Sequence, residues 1–318
     1  MSTVWLMPKD LREAIGAAMG RGLEFLKRNV EADGAWPSRM YENWELTGSW
    51  KVEFPPFLGG LGMLALEGCA DPAAEELRAR TRAFLHARIE YPGVWRYWPH
   101  LVPDLDSTSI CSLAATPHLW LLLARNVDVI VSYRDEEGRF LTWMSEYGPD
   151  ATQNHLDCVV NANVMAYLGD RVETRAAQRW LEALVKEQRV TEELLPFYPC
   201  VLDLYVACAR ASCLAPPVFA GLRPTLASRI LACQDAGGGF GDVMRTAQAV
   251  TALDGLGEGG REAVVRPALE HILATQRPDG GWPACFAWKG LPGMSLGFGS
   301  EAWTTVCCIE ALVRVVRQ

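Results

Sequence analysis

The chain has 318 residues, of which 50% are hydrophobic and 21% are charged, with a formal net charge of −8. This hydrophobic fraction is sufficient for a large core, and the acidic balance argues against broad nucleic-acid binding, because phosphate contacts need clustered Lys and Arg. The sequence contains no apolar stretch of about eighteen residues, as a transmembrane helix would require.

Ten cysteines are present, and several of them lie within apolar stretches. This placement is typical of reduced cysteines in a core rather than of a disulfide framework. The first ten residues include no basic segment followed by a long apolar run, which is the pattern of a secretory signal. We therefore expect a cytoplasmic protein.

A short turn in which a glycine precedes an aromatic residue by two positions recurs along the chain, after stretches of helical character. Five copies are evident, and their glycines are Gly34, Gly93, Gly138, Gly238 and Gly280. The interval between the third and fourth copies is about twice the others, which predicts a sixth, degenerate copy near residues 187–198. Six repeats of roughly 45 residues would then fill residues 1–318 as a single domain.

Apolar residues recur with helical spacing between these turns. In chain order, the clearest predicted helices span 56–67, 107–125, 161–168, 245–256 and 301–316, whereas strand patterns are sparse. Paired helices of this kind favour an all-α fold, an (α/α)6 barrel of helical hairpins, because closure removes the exposed ends of a helical stack. An open solenoid is the alternative. Residues 37–55 and 289–299 are predicted to be long loops, which on a rigid barrel typically border a pocket.

The last clear turn carries a longer motif. Residues 276–282, Gln-x-x-x-Gly-Gly-Trp, resemble the QW motif of squalene-hopene cyclases and related class II terpenoid cyclases, in the superfamily that includes protein prenyltransferases. The resemblance implies the barrel fold, with the Gln276 side chain linking neighbouring repeats and Trp282 packing over a helix end. The repeats alone do not define the chemistry, because cyclases, prenyltransferase subunits and non-enzymes share them.

A second resemblance concerns the chemistry. Residues 104–108, Asp-Leu-Asp-Ser-Thr, resemble the Asp-x-Asp-Asp motif of class II terpenoid cyclases, whose middle Asp is the general acid that protonates a double bond or an epoxide. The resemblance implies that Asp106 is this acid and Asp104 its partner, while Ser107 stands where the motif has its last Asp. Residues 160–165 resemble the cyclase helix that carries a His or Asn hydrogen-bonded to the acid, and Asn163 falls at that position.

The chemistry explains why such residues would be needed. An alkene is a very weak base, so its acid must be protonated at rest, and both apolar burial and a second carboxylate raise the pKa of an Asp. Aromatic faces can then stabilise the carbocation. Residues close to the acid are therefore the candidates for substrate binding: Trp95, Tyr97, Trp98, Ser107 and Thr108.

Structural roles are the alternative for several of these residues. Asp106 is followed by Ser and Thr, which is also typical of a helix N-cap, and clustered tryptophans commonly pack in a core. Trp36, Phe240 and Trp282 are expected to cap turns rather than to line a pocket. His155 is expected to be a solvated loop residue.

The resemblance implies a protonation-initiated cyclase of isoprenoid biosynthesis, an isomerase or lyase, that acts on a prenyl diphosphate or a small prenylated compound. Protonation needs no cofactor, but a diphosphate would bring Mg²⁺ and basic side chains, for which Lys51, Arg134, Arg139 and Lys289 are candidates. Many class II cyclases place the site between two barrels. Here, either the single barrel holds a smaller substrate, or a homodimer or a second subunit completes the pocket. Peripheral membrane contact would suit an apolar substrate.

Three other functions remain open. A protein prenyltransferase-like subunit would use zinc, whose ligands include Asp, Cys and His, but the sequence contains no Asp-x-Cys pair. A carbohydrate-active barrel would use two carboxylates with tryptophan platforms. A non-catalytic isoprenoid-binding protein would keep the apolar pocket without depending on Asp106.

Overall fold

The computed structural model describes residues 7–116, 121, 126–148, 153–259 and 262–317. Within these ranges the chain forms helices that alternate between an outer and an inner ring. The outer helices are α1 (Lys9–Asn29), α3 (Pro72–Ala87), α5 (Asn126–Ser132), α7 (Arg175–Glu187), α9 (Arg223–Leu231) and α11 (Glu262–Thr275). The inner helices are α2 (Pro56–Leu66), α4 (Leu105–Ala115), α6 (Cys158–Leu168), α8 (Val201–Leu214), α10 (Val243–Gly255) and α12 (Glu301–Val316).

The inner helices form a closed ring. Each contacts the next in chain order, from α2 through α4, α6, α8 and α10 to α12, and α12 packs against α2. The first and last outer helices, α1 and α11, are also in contact. The predicted all-α fold is confirmed, and the closed ring distinguishes a barrel from an open solenoid. Part of the predicted helix 107–125 lies outside the described residues.

Each of the five predicted glycine turns joins an outer helix to the inner helix that follows it. The φ angles of these glycines lie between 78° and 107°, in the left-handed region that other residues rarely adopt. At Gly280, a Cβ atom would also lie 2.4 Å from the carbonyl oxygen of Arg21. In the degenerate copy the left-handed residue is Gln188, which caps the C-terminus of α7, so the glycine pattern is missing there.

Aromatic side chains close these turns, as the QW resemblance implies. Trp282 is fully buried, and its Nε1 donates a hydrogen bond of 2.7 Å to the carbonyl oxygen of Ile272 in α11. Gln276 Nε2 donates to the carbonyl oxygen of Ala18 in α1 at 2.8 Å. The glutamine therefore links the last repeat to the first and helps to close the outer ring.

The prediction that residues 37–55 and 289–299 are only loops was wrong. These segments contribute to a four-stranded antiparallel sheet of β1 (Ser38–Tyr41), β2 (Trp50–Glu53), β3 (Phe286–Lys289) and β4 (Gly297–Gly299), in the order β2-β1-β4-β3. Strand β1 pairs with β4, so that Arg39 lies opposite Gly299. Because this pairing joins the two ends of the chain, it leaves no local signal in the sequence.

The ten cysteines are all free. Several are buried in the inner helices, including Cys111, Cys158 and Cys208, which agrees with the prediction of reduced core cysteines. None of the helices in the described part of the chain has the length and apolar character needed to cross a membrane.

Candidate active site

The first turn of α4 gives its two carboxylates different roles. Asp104 is the N-cap: its Oδ1 accepts a hydrogen bond of 2.6 Å from the Ser107 backbone N–H, and its Oδ2 accepts one of 3.1 Å from the Tyr97 backbone N–H. Asp106 lies inside the first turn. The alternative in which Asp106 is the N-cap is therefore wrong.

Two side chains from other parts of the barrel hold the Asp106 carboxyl. Its Oδ1 accepts a hydrogen bond of 2.6 Å from Asn163 Nδ2 on α6, and its Oδ2 accepts one of 2.5 Å from the Tyr198 hydroxyl, just before α8. Arg210 Nη2 on α8 donates to Asn163 Oδ1 at 2.7 Å. This contact orients the Asn163 amide, because the amide oxygen faces the guanidinium and the NH₂ group faces Asp106.

The surroundings of Asp106 change its pKa in opposing directions, with a net increase. Burial raises the pKa of Asp106, whereas the hydrogen bonds from Tyr198 and Asn163 and the charge of Arg210 lower it. Burial raises the pKa of Asp104 to about 7, and the charge of Asp106 contributes in the same direction. Burial also raises the pKa of the Tyr198 hydroxyl well above its ordinary value, so Tyr198 remains a hydrogen-bond donor.

A third buried carboxyl, Asp157, belongs to the same electrostatic group. It caps α6, and its Oδ1 accepts from the backbone N–H groups of Val159 and Val160 at 2.7 and 3.2 Å, while its Oδ2 accepts from that of Phe197 at 3.2 Å. Burial raises its pKa to about 7, and the charge of Asp106 adds to the effect. Interacting carboxyls such as these titrate as a set.

A small cavity of about 70 Å³ lies beside Asp106. The β3–β4 hairpin, residues 286–299, borders it and contributes Trp288, Lys289 and Phe298 to its wall. The remaining aromatic wall residues are Phe57, Tyr97, Trp98, Trp143, Phe197 and Tyr198. The cavity therefore combines one end of an acid-bearing helix with a wall that is rich in aromatic side chains.

Of the five residues predicted to bind substrate, three line the cavity and two do not. Tyr97, Trp98 and Ser107 line the cavity, but Trp95 and Thr108 do not line it and are fully buried. Trp95 is the aromatic residue of the second turn, and its Nε1 donates to the Leu85 carbonyl oxygen at 3.0 Å. The Thr108 hydroxyl oxygen accepts from the Trp95 backbone N–H at 3.1 Å. Both residues thus hold the turn together.

Sequence reasoning missed Tyr198 and Arg210. Tyr198 ends the degenerate repeat and lies 92 residues from its partner Asp106, so no local pattern links them. His155 lies in a loop, as predicted, but it is half-buried rather than fully solvated. Its Nδ1 accepts from Trp143 Nε1 at 3.1 Å, and its ring packs edge-on against Phe197 with centroids 5.5 Å apart.

The four basic residues considered for a diphosphate have different surroundings. Lys289 lines the cavity. Arg139 forms an ion pair of 2.7 Å with Asp135, Arg134 donates to two backbone carbonyl groups, and Lys51 is exposed on β2. Within the described residues, Lys289 is the basic residue that contributes to the wall of the same cavity as Asp106, and its Nζ donates to the carbonyl oxygen of Leu195 at 3.1 Å.

The carboxylates beside the cavity do not suit the Mg²⁺ ion that a diphosphate would bring. Both oxygens of Asp104 accept backbone hydrogen bonds, and both oxygens of Asp106 accept side-chain hydrogen bonds. In the described ranges, no three His, Cys, Asp or Glu side chains are arranged to hold a metal ion. The donor set does not fit this ion, and no step of the proposed chemistry is assigned to it.

No protein-family model and no curated protein sequence matches the chain. Solved structures do match it. One is a variant of the type II terpene cyclase MstE from Scytonema in complex with its substrate geranylgeranyl dihydroxybenzoate, with a TM-score of 0.76 and 17% sequence identity, covering 98% of this chain and 99% of that one.

Two further structures show that the likeness extends across different activities. The ent-copalyl diphosphate synthase from Streptomyces platensis has a TM-score of 0.59 and 18% identity over 82% of this chain and 50% of that one. An unsaturated glucuronyl hydrolase specific for heparin has a TM-score of 0.62 and 15% identity over 96% and 97% of the two chains. The chain therefore has the α/α-barrel fold that these terpene cyclases and the glucuronyl hydrolase share.

Proposed function

We propose that this protein is a protonation-initiated, type II terpene cyclase with Asp106 as its general acid. The observation that carries the proposal is the setting of Asp106, whose two carboxyl oxygens accept hydrogen bonds from Asn163 and Tyr198 at the wall of an aromatic cavity. Burial raises the pKa of Asp106, which is the direction that a proton donor to carbon requires. The two donors stabilise the carboxylate after the proton has left.

In the proposed reaction, Asp106 gives its proton to a carbon–carbon double bond of a prenyl chain. Further double bonds of the chain then attack the cationic carbon and form rings, and loss of a proton or addition of water ends the sequence. The head group stays attached throughout. Asp104 and Asp157 do not touch the reacting carbon in this scheme. Burial, together with the charge of Asp106, raises the pKa of each to about 7, so these surroundings disfavour a second carboxylate charge near Asp106.

The aromatic wall supplies what the cationic intermediates need. Phe57 and Trp288 pack edge-to-face with centroids 5.7 Å apart, and Tyr97 and Trp98 do so at 5.3 Å. Each ring face that a carbocation approaches contributes roughly 0.5–2 kcal/mol of stabilisation. Several such faces around one cavity would guide ring closure without offering a strong nucleophile.

The structural relatives support the substrate class. The MstE structure contains geranylgeranyl dihydroxybenzoate, and this chain covers 99% of that protein chain, so a single barrel of this extent holds a prenylated substrate there. The ent-copalyl diphosphate synthase is named for a diphosphate product. By analogy, the substrate proposed here is a prenyl diphosphate or another small prenylated compound.

The glucuronyl hydrolase likeness keeps a carbohydrate substrate as the second candidate, but the cavity favours an isoprenoid. Sugar hydroxyls require many hydrogen-bonding partners, whereas the cavity wall is mainly apolar. The carboxyl oxygens of Asp104 are already occupied by backbone N–H groups. This leaves no second carboxylate with free oxygens on the described wall, as glycoside hydrolysis would require.

The cavity must enlarge to admit such a substrate. Its volume of about 70 Å³ is well below the roughly 300–1,000 Å³ of typical ligand pockets. The β3–β4 hairpin borders the cavity and contains glycines at positions 290, 293, 297 and 299. We expect this hairpin to move outward when the prenyl chain binds, as loops over many active sites do.

Incubation with farnesyl and geranylgeranyl diphosphates and with prenylated aromatic compounds tests the proposal. Cyclic products of unchanged mass, or hydrated by one water, are expected, with the head group retained. In D₂O, the cyclic product should gain a solvent deuterium on carbon, because the proton on Asp106 exchanges with solvent between turnovers. Release of free diphosphate as the primary event would contradict the mechanism.

A further inference from the structure

A buried ion pair inside the inner ring has no part in the chemistry described so far. It joins Asp203, in the first turn of α8, to Arg245, in the first turn of α10, and the two side chains are only 8% and 10% exposed. Asp203 Oδ2 lies 3.5 Å from Arg245 Nη2 and accepts from the backbone N–H of Cys200 at 3.0 Å. Among the described residues, no donor is hydrogen-bonded to Oδ1, so this oxygen can accept a further hydrogen bond.

The surroundings of Arg245 keep the cation beside Asp203. Arg245 Nε donates to Cys200 Sγ at 3.2 Å, and its Nη1 donates to Asp242 Oδ2 at 2.5 Å. Its Nη2 donates to the carbonyl oxygen of Phe286 at 3.0 Å. Burial raises the pKa of Asp203, whereas the charge of Arg245 lowers it. The carboxyl is therefore a stronger base than an exposed aspartate, and the ion pair favours its charged form.

Asp203 lines a gap of about 30 Å³ that adjoins the cavity beside Asp106. Three aromatic residues, Phe57, Tyr198 and Trp288, line both the gap and this cavity, whereas Asp203 lines the gap alone. A polar gap of this size holds about one or two waters. A water in the gap would therefore bridge the distance between Asp203 and a carbocation in the cavity.

Gln248 and Arg210 complete the polar wall of the gap. The Gln248 side-chain amide has no hydrogen-bond partner among the described residues. Arg210 donates to Asn163 through Nη2, but its Nε is buried without a partner in the described part of the chain. With Asp203, these groups supply the roughly two to four polar partners that a buried water requires.

The gap also adjoins a chamber of about 340 Å³ between the C-terminal halves of the inner helices. Arg210, Gln248 and Trp303 line both the gap and the chamber. The exposed residues Glu67 and Arg317 line the chamber as well, so the chamber reaches the surface. This arrangement gives water a route to the gap from the end of the barrel that is opposite to Asp106.

We propose that Asp203 is the base of a terminating hydration, in which a water held in the gap captures the final carbocation. The inference rests on the proposed cyclase function. The water oxygen uses a lone pair to form a C–O bond with the cationic carbon, and one proton of this water passes to Asp203 Oδ1. Gln248 is a positioning residue that orients the water. Asp106 gives one proton to the substrate and Asp203 receives one, so the product is a neutral cyclic alcohol, and both carboxyls are restored by proton exchange with solvent.

Incubation in H₂¹⁸O tests the inference, with farnesyl and geranylgeranyl diphosphates and prenylated aromatic compounds as substrates. The wild-type protein should form a cyclic alcohol that carries the label in a carbon-bound hydroxyl group. Asp203→Asn should shift the products toward cyclic alkenes, and because a general base contributes typically about 10²–10⁴-fold, the ratio of alcohol to alkene should fall about 100-fold or more. Gln248→Met keeps the ion pair and should lower this ratio about 10-fold, as expected for the loss of one hydrogen bond.

Asp242→Asn is the matched control, because Asp242 also pairs with Arg245 but lines neither the gap nor the cavity beside Asp106. It should keep the wild-type ratio. Unlabelled alkenes as the main wild-type products, or an unchanged ratio in a folded variant of Asp203 or Gln248, would overturn the inference and leave the cyclase function standing. The same shift in Asp242→Asn would also overturn it, because the ion pair would then control the outcome. If Asp203→Asn does not fold, Gln248→Met decides. Absence of every cyclic product would contradict the proposed function, and the inference with it.

Discussion

Replacement of Asp106 by Asn separates proton donation from every structural role of this residue. The amide has nearly the shape of a protonated carboxyl, and its oxygen can still accept from Asn163 Nδ2, as Asp106 Oδ1 does at 2.6 Å. The Tyr198 hydroxyl, which donates to Oδ2 at 2.5 Å, can rotate to accept from the new NH₂ group. We therefore expect the free energy of unfolding to change by about 1 kcal/mol or less.

Turnover should respond very differently, because an amide cannot deliver a proton to carbon. A general acid contributes typically about 10²–10⁴-fold, or about 3–5 kcal/mol of the activation barrier. The assay is the rate of cyclic product formation, followed by mass spectrometry, with thermal unfolding and substrate binding measured on the same preparations. Near-normal turnover by a folded Asp106→Asn variant would refute the assignment of the acid.

Three further perturbations probe the surroundings of the acid and the barrel. Tyr198→Phe removes a donor that stabilises the Asp106 carboxylate, so turnover should fall by about 10–100-fold in a folded protein, and unchanged rates would argue against this role. The free energy of unfolding should fall as pH rises from about 4 to about 7, because folded Asp157 keeps its proton to about pH 7 whereas an unfolded carboxyl releases it near pH 4. Asp157→Asn keeps the cap and should flatten this slope in denaturant titrations at several pH values; an unaltered slope would contradict the burial argument. Trp282→Ala should cost about 3–5 kcal/mol of stability, whereas Trp50→Ala, at a site 46% exposed, should cost less than about 1 kcal/mol, and equal melting temperatures would show that Trp282 is not a structural cap.

The parts of the fold that could be predicted are those encoded locally. Gly280 and Trp282 belong to one short turn, and the left-handed glycine and the aromatic cap recur at nearly regular intervals. The pairing of Arg39 with Gly299 could not be predicted, because two short segments from opposite ends of the chain form the sheet and neither has a strand pattern long enough to stand out.

In the candidate site, too, the residues that lie in local motifs could be predicted, and those that meet only in the fold could not. Asp104, Asp106 and Asn163 were found because they lie in short motifs that resemble those of a known family. Tyr198 and Arg210 lie in no such motif, and their contacts with Asp106 and Asn163 span 92 and 47 residues. Such partners are brought together by the packing of the consecutive inner helices α4, α6 and α8, and not by their neighbours in sequence.

The closed ring also brings the two ends of the described chain close together. Arg12 Nη1 in α1 donates to the carbonyl oxygen of Val316 at the end of α12, at 3.4 Å. A short linker between the ends would therefore permit a circular permutant, opened at a turn that follows an inner helix, such as residues 169–174. That turn lies at the far end of the inner helices from Asp106, so the permutant would keep the cavity, the hairpin and the acid. A folded and active permutant would show that the barrel does not depend on the order in which its repeats are synthesised.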